Sequence, residues 1–344
     1  MNIFWLWPAA ALMSFFLTGM TMRFAATLRL LDVPNERSSH VVPIPRGGGV
    51  AIVLTFASGM SVAVLLGLAD SRMLAAIAGG GGLVALTGLV EDCRGVSVQR
   101  RVAMHVLSAA WALYWLDGIP PTLLPALPVA LVQVLGVLGI VWLVNLYNFM
   151  DGIDGMAGIE TVTVCIGGVL LYACCVPGAT SWILPALLMA AASGFLFWNF
   201  PAARIFLGDT GSGFLGFAMA VFCIEAVNLD PALFWAWMIL LGVFIADSGV
   251  TLLRRMLRRQ RLQDAHRNHA YQFAARQAGR HAPVTLAAGA INLAWLMPIA
   301  LLVGTGRAPI LPSLVIAYAP LLWLAFHFKA GAPELQEPQP GRSP

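Results

Sequence analysis

Long apolar stretches alternate with short polar ones along this chain. Eleven apolar stretches run near residues 3–22, 48–69, 73–90, 102–116, 122–144, 156–176, 182–198, 213–227, 232–253, 284–303 and 308–327. Most approach the roughly 20 residues that a helix needs to cross a hydrocarbon core. The stretches 102–116 and 213–227 are shorter, and Pro125 and Pro128 interrupt the start of 122–144. A backbone crossing lipid must satisfy its own hydrogen bonds, and single stretches of this length do so as helices. The pattern therefore predicts an all-α, polytopic integral membrane protein with about 11 transmembrane helices.

Composition and charge orient that bundle. Of 344 residues, 59% are hydrophobic and 10% charged, with mean hydropathy +0.82, far from soluble composition. If the stretches alternate across the membrane, one set of loops (23–46, 92–101, 145–155, 199–212, 254–281 and the tail) carries 18 of the 20 basic residues; Arg72 and Arg307 alone lie on the other side. This bias predicts that those loops and the C-terminus are cytoplasmic and that the N-terminus lies outside. Arg23 and Arg29 follow the first apolar run and no basic stretch precedes it, so that run reads as a retained span. Residues 1–329 read as a single transmembrane domain with five cytoplasmic loops, and 330–344, rich in Pro and Gly, as a disordered cytoplasmic tail. Gly79–Gly82 reads as close helix packing. The five cysteines lack metal spacing. The net charge of +4 is mostly the loop bias and implies no nucleic-acid partner.

The unusual chemistry collects in the five loops. The first, from Asp32 to Gly49, combines three prolines with Arg37, His40, Arg46 and three glycines, which suits either an oxyanion site or a stiff basic loop. The second opens with Glu91-Asp92. Neighbours on a helix point about 100° apart, so the pair converges only if the helix ends there; otherwise it is a solvated terminus paired with Arg94, Arg100 or Arg101. The third places Asn145, Asn148, Asp151 and Asp154 at three-residue intervals. On an unbroken helix these drift about 60° per step, so convergence needs a break at Gly152 or Gly155. The fourth, Asn199 to Ser212, holds Phe206 and a carboxylate, Asp209, beside glycine and hydroxyls. The fifth begins with the arginine run Arg254–Arg261 and continues to His266-Arg267-Asn268-His269-Ala270-Tyr271-Gln272, placing two imidazoles on one face if helical. Asp247, Glu225, His105, His281 and His327 take structural readings.

Together the loops resemble the polyprenyl-phosphate N-acetylhexosamine-1-phosphate transferases, the MraY/WecA superfamily of glycosyltransferase 4 type. The His-Arg-x-His-x-Tyr-Gln form of loop five looks like that of WbpL-type O-antigen initiating transferases. The resemblance implies transfer of N-acetylhexosamine-1-phosphate from a UDP-sugar to undecaprenyl phosphate, giving UMP and an undecaprenyl-pyrophosphoryl-sugar. It assigns Asp92 and Glu91 to deprotonating the lipid phosphate, with Asp92 preferred, and His266, Arg267 and His269 to the catalytic loop-five motif. It assigns Arg46, Asn145, Asn148, Asp151, Asp154, Asn199 and Phe206 to substrate, and Asp209 to Mg²⁺, with Mn²⁺ as the alternative. The implied partners are a UDP-N-acetylhexosamine, undecaprenyl phosphate and membrane lipids; a homodimer stays open. The membrane the resemblance implies is the bacterial inner (cytoplasmic) one, with a periplasmic N-terminus. Two rivals share the composition: a secondary transporter, which would place its charges near the midplane, and another Mg²⁺-dependent membrane phosphotransferase.

Overall fold

The computed structural model describes residues 3–27, 30–32, 43–178, 180–260 and 267–332. Ile3–Trp5 forms a turn of 3-10 helix ahead of α1 (Leu6–Phe24). A small antiparallel ribbon follows, β1 (Leu31–Asp32) with β2 (Ile44–Pro45), pairing Leu31 with Pro45 and Asp32 with Ile44. Then come α2 (Gly49–Leu65), α3 (Ser71–Ala75) and α4 (Gly82–Arg94), the last two fused through a π-helical stretch, Ala76–Gly81. Next are α5 (Val98–Trp115), α6 (Val129–Met150), α7 (Met156–Cys175), α8 (Ile183–Asn199) and α9 (Gly208–Leu229). A bend of 72° separates α10 (Pro231–Leu240) from α11 (Gly242–Leu257). After α12 (Ala270–Ala278), a second π-helical stretch, Asn292–Leu296, joins α13 (Ala282–Ile291) to α14 (Met297–Gly304), and α15 (Ile310–His327) completes the bundle.

Each apolar stretch of the sequence coincides with a helix or a joined helix pair. Among the described residues, seven of these are long and apolar enough to cross a membrane, and the bent α10–α11 pair makes an eighth if it counts as one span. The other three fall short for identifiable reasons. The apolar helices α2 and α8 have 17 residues each, and α5 spends its first turn on Gln99, Arg100 and Arg101. The stretch expected at 122–144 moves to Val129–Met150, because Pro128 stands at its N-cap and the helix runs on through Asn145 and Asn148.

The most enclosed helix is α9, packed against α2, α4, α6 and α10. Its Phe214 and Phe217 rings lie against Gly80 and Gly81. Small residues let backbones approach in a bundle where lipid supplies no hydrophobic drive between helices. Large apolar side chains such as Phe16, Leu107, Leu138 and Trp323 point outward, as a lipid-facing surface requires. Glu160, a carboxylate the sequence reading passed over, is buried in α7, where Asn292 Nδ2 donates to it at 2.7 Å and to Thr163 Oγ1 at 2.8 Å.

The expected tail boundary needs correction. Ala330 is fully buried, and the Gly331 N–H donates to the Asn268 carbonyl at 2.6 Å. Residues 330–332 therefore belong to the folded unit, and 333–344 lie outside the described residues.

Candidate active site

The N-terminus of α9 organises the site. Its first residues are Gly208, Asp209 and Thr210, and no side chain of its own chain neighbourhood caps it. The exposed N–H groups of a helix start need acceptors, and Asp92, from the last turn of α4, supplies them. Asp92 Oδ1 accepts from the Asp209 N–H at 3.1 Å; Oδ2 accepts from the Thr210 N–H at 3.2 Å and the Thr210 hydroxyl at 2.9 Å. Gly208 has φ +76°, and a Cβ there would stand 2.7 Å from Asp92 Oδ2. Only glycine permits this approach.

The helix α4 continues through Glu91 and Asp92 to Arg94 before Gly95 ends it. The two carboxylates therefore diverge instead of converging: Asp92 is buried against α9, while Glu91 turns toward Arg101 at 3.9 Å. Arg46 reaches the same helix end, donating to the Asp92 carbonyl, with its Nε 4.0 Å from Asp92 Oδ1. Its segment is fixed on loop four: Phe206 N–H donates to the Pro45 carbonyl at 2.8 Å, and Gly48 N–H to the Phe206 carbonyl at 3.0 Å. Phe206 is half-buried beside this junction.

The third loop breaks as the spacing requires. Helix α6 stops at Met150, and Gly155, with φ +73°, starts α7 in the left-handed region. The four polar residues then part company. Asn145 turns back onto the Val141 carbonyl at 2.7 Å. Asn148 Nδ2 donates to Asp209 Oδ1 at 2.6 Å and to Ser212 Oγ at 3.2 Å. Asp151 sits at the turn, and burial together with the Asp209, Asp92 and Asp154 carboxylates pushes its carboxyl well above the usual carboxylate range. Asp154 Oδ2 accepts from the Ala203 N–H at 3.1 Å, and Oδ1 lies 3.1 Å from His281 Nδ1. Asn199 spends its amide on backbone, accepting from Gly155 N–H and donating to the Ile205 carbonyl, both at 2.9 Å. It brackets loops three and four.

Loop five docks on the same turn. Asp247, in α11, accepts from the Ala270 and Tyr271 N–H groups, both at 2.9 Å, and so caps α12; its Oδ1 is also 3.2 Å from His269 Nδ1. The Tyr271 hydroxyl donates to the Phe149 carbonyl at 2.9 Å, and a Cβ on Gly152 would collide with that hydroxyl. His269 is the N-cap of α12, so residues 267–269 precede the helix and the expected shared helical face does not form. Arg267 is half-buried, and its carbonyl accepts from Arg276 at 3.2 Å. His266, Arg37 and His40 lie outside the described residues.

A pocket of about 20 Å³, the size of one ion or water, is lined by Asp209, Asn145, Asn148, Arg101 and His105. His105 is buried there, and its Nδ1 has no hydrogen-bond partner among the described residues. Among the described residues, no three His, Cys, Asp or Glu side chains form a ready metal cage. The carboxylates available are Asp209, oriented by Asn148, and Asp151. Their mutual repulsion is what a cation would relieve.

A family model described as Glycosyl transferase family 4 matches residues 74–227. That span holds Asp92, the Asn148–Asp154 turn, Asn199 and Asp209. A Bacillus subtilis (strain 168) protein named "Probable undecaprenyl-phosphate N-acetylglucosaminyl 1-phosphate transferase" is 29% identical over 273 residues, covering 74% of this chain and 72% of the relative. A Thermotoga maritima protein named "Undecaprenyl-phosphate alpha-N-acetylglucosaminyl 1-phosphate transferase" is 26% identical over 78% of this chain and 81% of its own. The "Decaprenyl-phosphate N-acetylglucosaminephosphotransferase" of Mycolicibacterium smegmatis is 29% identical over 60% of this chain and 56% of its own.

The chain is similar to the polyprenyl-phosphate hexosamine-1-phosphate transferases.

Its relatives are named as glycosyl-1-phosphate transferases, and several apolar helices make this chain a multi-pass membrane protein. The likeness favours the transferase reading over the transporter one. Sequence reasoning missed Asp247, Tyr271, His105 and His281 as neighbours of the site. Tyr271 carried a signal, since it stands inside the loop-five motif. The others met their partners only through folding: His281 lies 127 residues from Asp154, and His105 faces Asn145 and Asn148 across the α5–α6 packing.

Proposed function

We propose that this enzyme transfers N-acetylhexosamine-1-phosphate from a UDP-sugar to undecaprenyl phosphate at a site on the cytoplasmic face of the inner membrane, releasing UMP. The observation that carries the reading is the convergence of Asp92, Asn148 and Asp209 from three separate segments at one helix N-terminus. A helix N-terminus favours anions, and the adjoining carboxylates favour a divalent cation to accompany them. The relatives' names put UDP-N-acetylglucosamine first among donors, with UDP-FucNAc and UDP-QuiNAc behind it. Initiation of O-antigen or a related envelope glycan is the setting proposed for the product.

In this reaction an oxygen of the lipid phosphate attacks the β-phosphorus. The bond between that phosphorus and the oxygen bridging it to the α-phosphate breaks, and UMP leaves with the bridging oxygen. Such transfers are driven by charge neutralisation and alignment. Mg²⁺ (or Mn²⁺) held by Asp209, with Asp151 beside it, would neutralise pyrophosphate charge. Arg46, ahead of α2, and Arg101, in the first turn of α5, add fixed positive charge, and Phe206 offers a ring for the uracil. Asp92, with both oxygens occupied by three donors, holds α9 in place. Glu91 is the better proton acceptor for the lipid phosphate, since its Oε2 has no hydrogen-bond partner among the described residues.

The test is Asp209→Asn in membranes supplied with undecaprenyl phosphate, UDP-N-acetylglucosamine and Mg²⁺. The variant is expected to insert normally and to lose UMP release. Full activity in that variant removes Asp209 from the site.

A further inference from the structure

We propose that Ala330 and Gly331, just beyond the last span, form a positioning strap that holds loop five, and with it His269, against the catalytic turn. The inference rests on the function proposed above for its activity arm only. Three hydrogen bonds make the strap. Gly331 N–H donates to the Asn268 carbonyl at 2.6 Å, Arg254 Nη1 donates to the Ala330 carbonyl at 2.8 Å, and Arg258 Nη1 donates to the Gly331 carbonyl at 2.6 Å. The Arg254 guanidinium also lies over the Phe326 ring, 4.4 Å from its centroid. Two arginines of the basic run therefore grip the chain emerging from α15.

The strap touches the site through an unbroken series of contacts. Gly331 packs on Thr251, whose hydroxyl donates to Asp247 Oδ1 at 3.2 Å. Asp247 caps α12 and meets His269. Tyr271, in the first turn of α12, reaches the Phe149 carbonyl beside Asp151. Ala330 closes a small apolar cluster with Val250, Ala270 and Ala325, which ties the start of α12 to the end of the last span. Asn268 and His269 are flanked on one side by the strap and on the other by the α6–α7 turn, so their placement depends on both.

Gly331 is the sensitive point. It has φ +70°, and a Cβ there would stand 2.8 Å from Arg254 Cβ and 2.9 Å from the Thr251 carbonyl oxygen. Backbone cannot yield as a flexible side chain does, so any side chain at 331 pries the strap from α11.

Hydrogen exchange on the full-length protein in lipid nanodiscs tests the strap without reference to activity. In Gly331→Ala the Ala270 and Tyr271 amides are expected to exchange at least about tenfold faster while α9 amides keep their protection. Arg254→Gln with Arg258→Gln, which removes two donors without altering the backbone, is expected to do the same and serves if Gly331→Ala fails to insert. Unchanged exchange at 270–271 in an inserted variant overturns the proposal. The activity arm is a double-mutant cycle with His269→Ala. If the strap acts through His269, Gly331→Ala costs turnover alone but adds less than about twofold on the His269→Ala background; independent, multiplying losses overturn it. A wild-type protein that transfers no sugar phosphate defeats the proposed function, and the exchange arm still decides the strap.

Discussion

Asp92 Oδ2 accepts two hydrogen bonds from Thr210, one from its N–H at 3.2 Å and one from its hydroxyl at 2.9 Å. A carboxylate on one helix thus caps the helix that bears Asp209. Asp92→Asn replaces one acceptor oxygen with a donor facing only donors, so it should lower turnover at least about a hundredfold and cost about 1–3 kcal/mol of stability. Thr210→Val keeps both backbone donors and should cost about 1 kcal/mol and no more than about tenfold in rate. Melting temperature measured beside steady-state kinetics separates this from a proton-transfer role. An Asp92→Asn protein as stable as wild type yet inactive would argue for the base instead.

Asn148 holds Asp209 Oδ1 at 2.6 Å. Partners that orient a metal ligand typically matter about 10- to 100-fold in metal affinity. Asn148→Leu should therefore raise the Mg²⁺ concentration needed for half-maximal activity by about that factor, with partial recovery at saturating metal. A Mg²⁺ titration that superimposes on wild type would dissociate Asn148 from the metal.

Asp151 is held above the usual carboxylate range by burial and by the Asp209, Asp92 and Asp154 carboxylates. A carboxyl raised by folding stabilises the fold while protonated, and that contribution is lost as pH climbs through the ordinary carboxylate range toward the raised value. Asparagine mimics the neutral form at every pH. In metal-free buffer Asp151→Asn should melt higher than wild type, with the advantage larger at pH 8 than at pH 5, and should turn over more slowly. An equal or lower melting temperature at pH 8 would refute the electrostatic account.

The layout of helices was legible because lipid imposes length and apolarity on a span, and eight of the eleven stretches show both when the bent α10–α11 pair counts as one. Their shape was less so. The 72° bend at Leu241 and the π-helical stretches at Ala76–Gly81 and Asn292–Leu296 leave no mark in the apolar pattern. In the site, local chemistry was readable where a turn residue announced it, as Gly155 did for the break after Met150. The roles of Asp92 and Glu91 were not legible from sequence, because their divergence depends on α4 running two residues beyond the pair, to Arg94. Asn199 looked like a ligand-binding amide, yet both its polar ends are bonded to Gly155 and Ile205. Asp247 took a structural reading without a partner, and only the fold of loop five reveals the helix it caps.

The central claim is that the β-phosphate travels with the sugar. UDP-N-acetylglucosamine labelled with ³²P in the β-phosphate, incubated with membranes carrying this protein, undecaprenyl phosphate and Mg²⁺, follows that atom directly. The account predicts label in the lipid fraction and unlabelled UMP in the aqueous one. Label remaining with released UDP would mean transfer of the sugar alone and would contradict it.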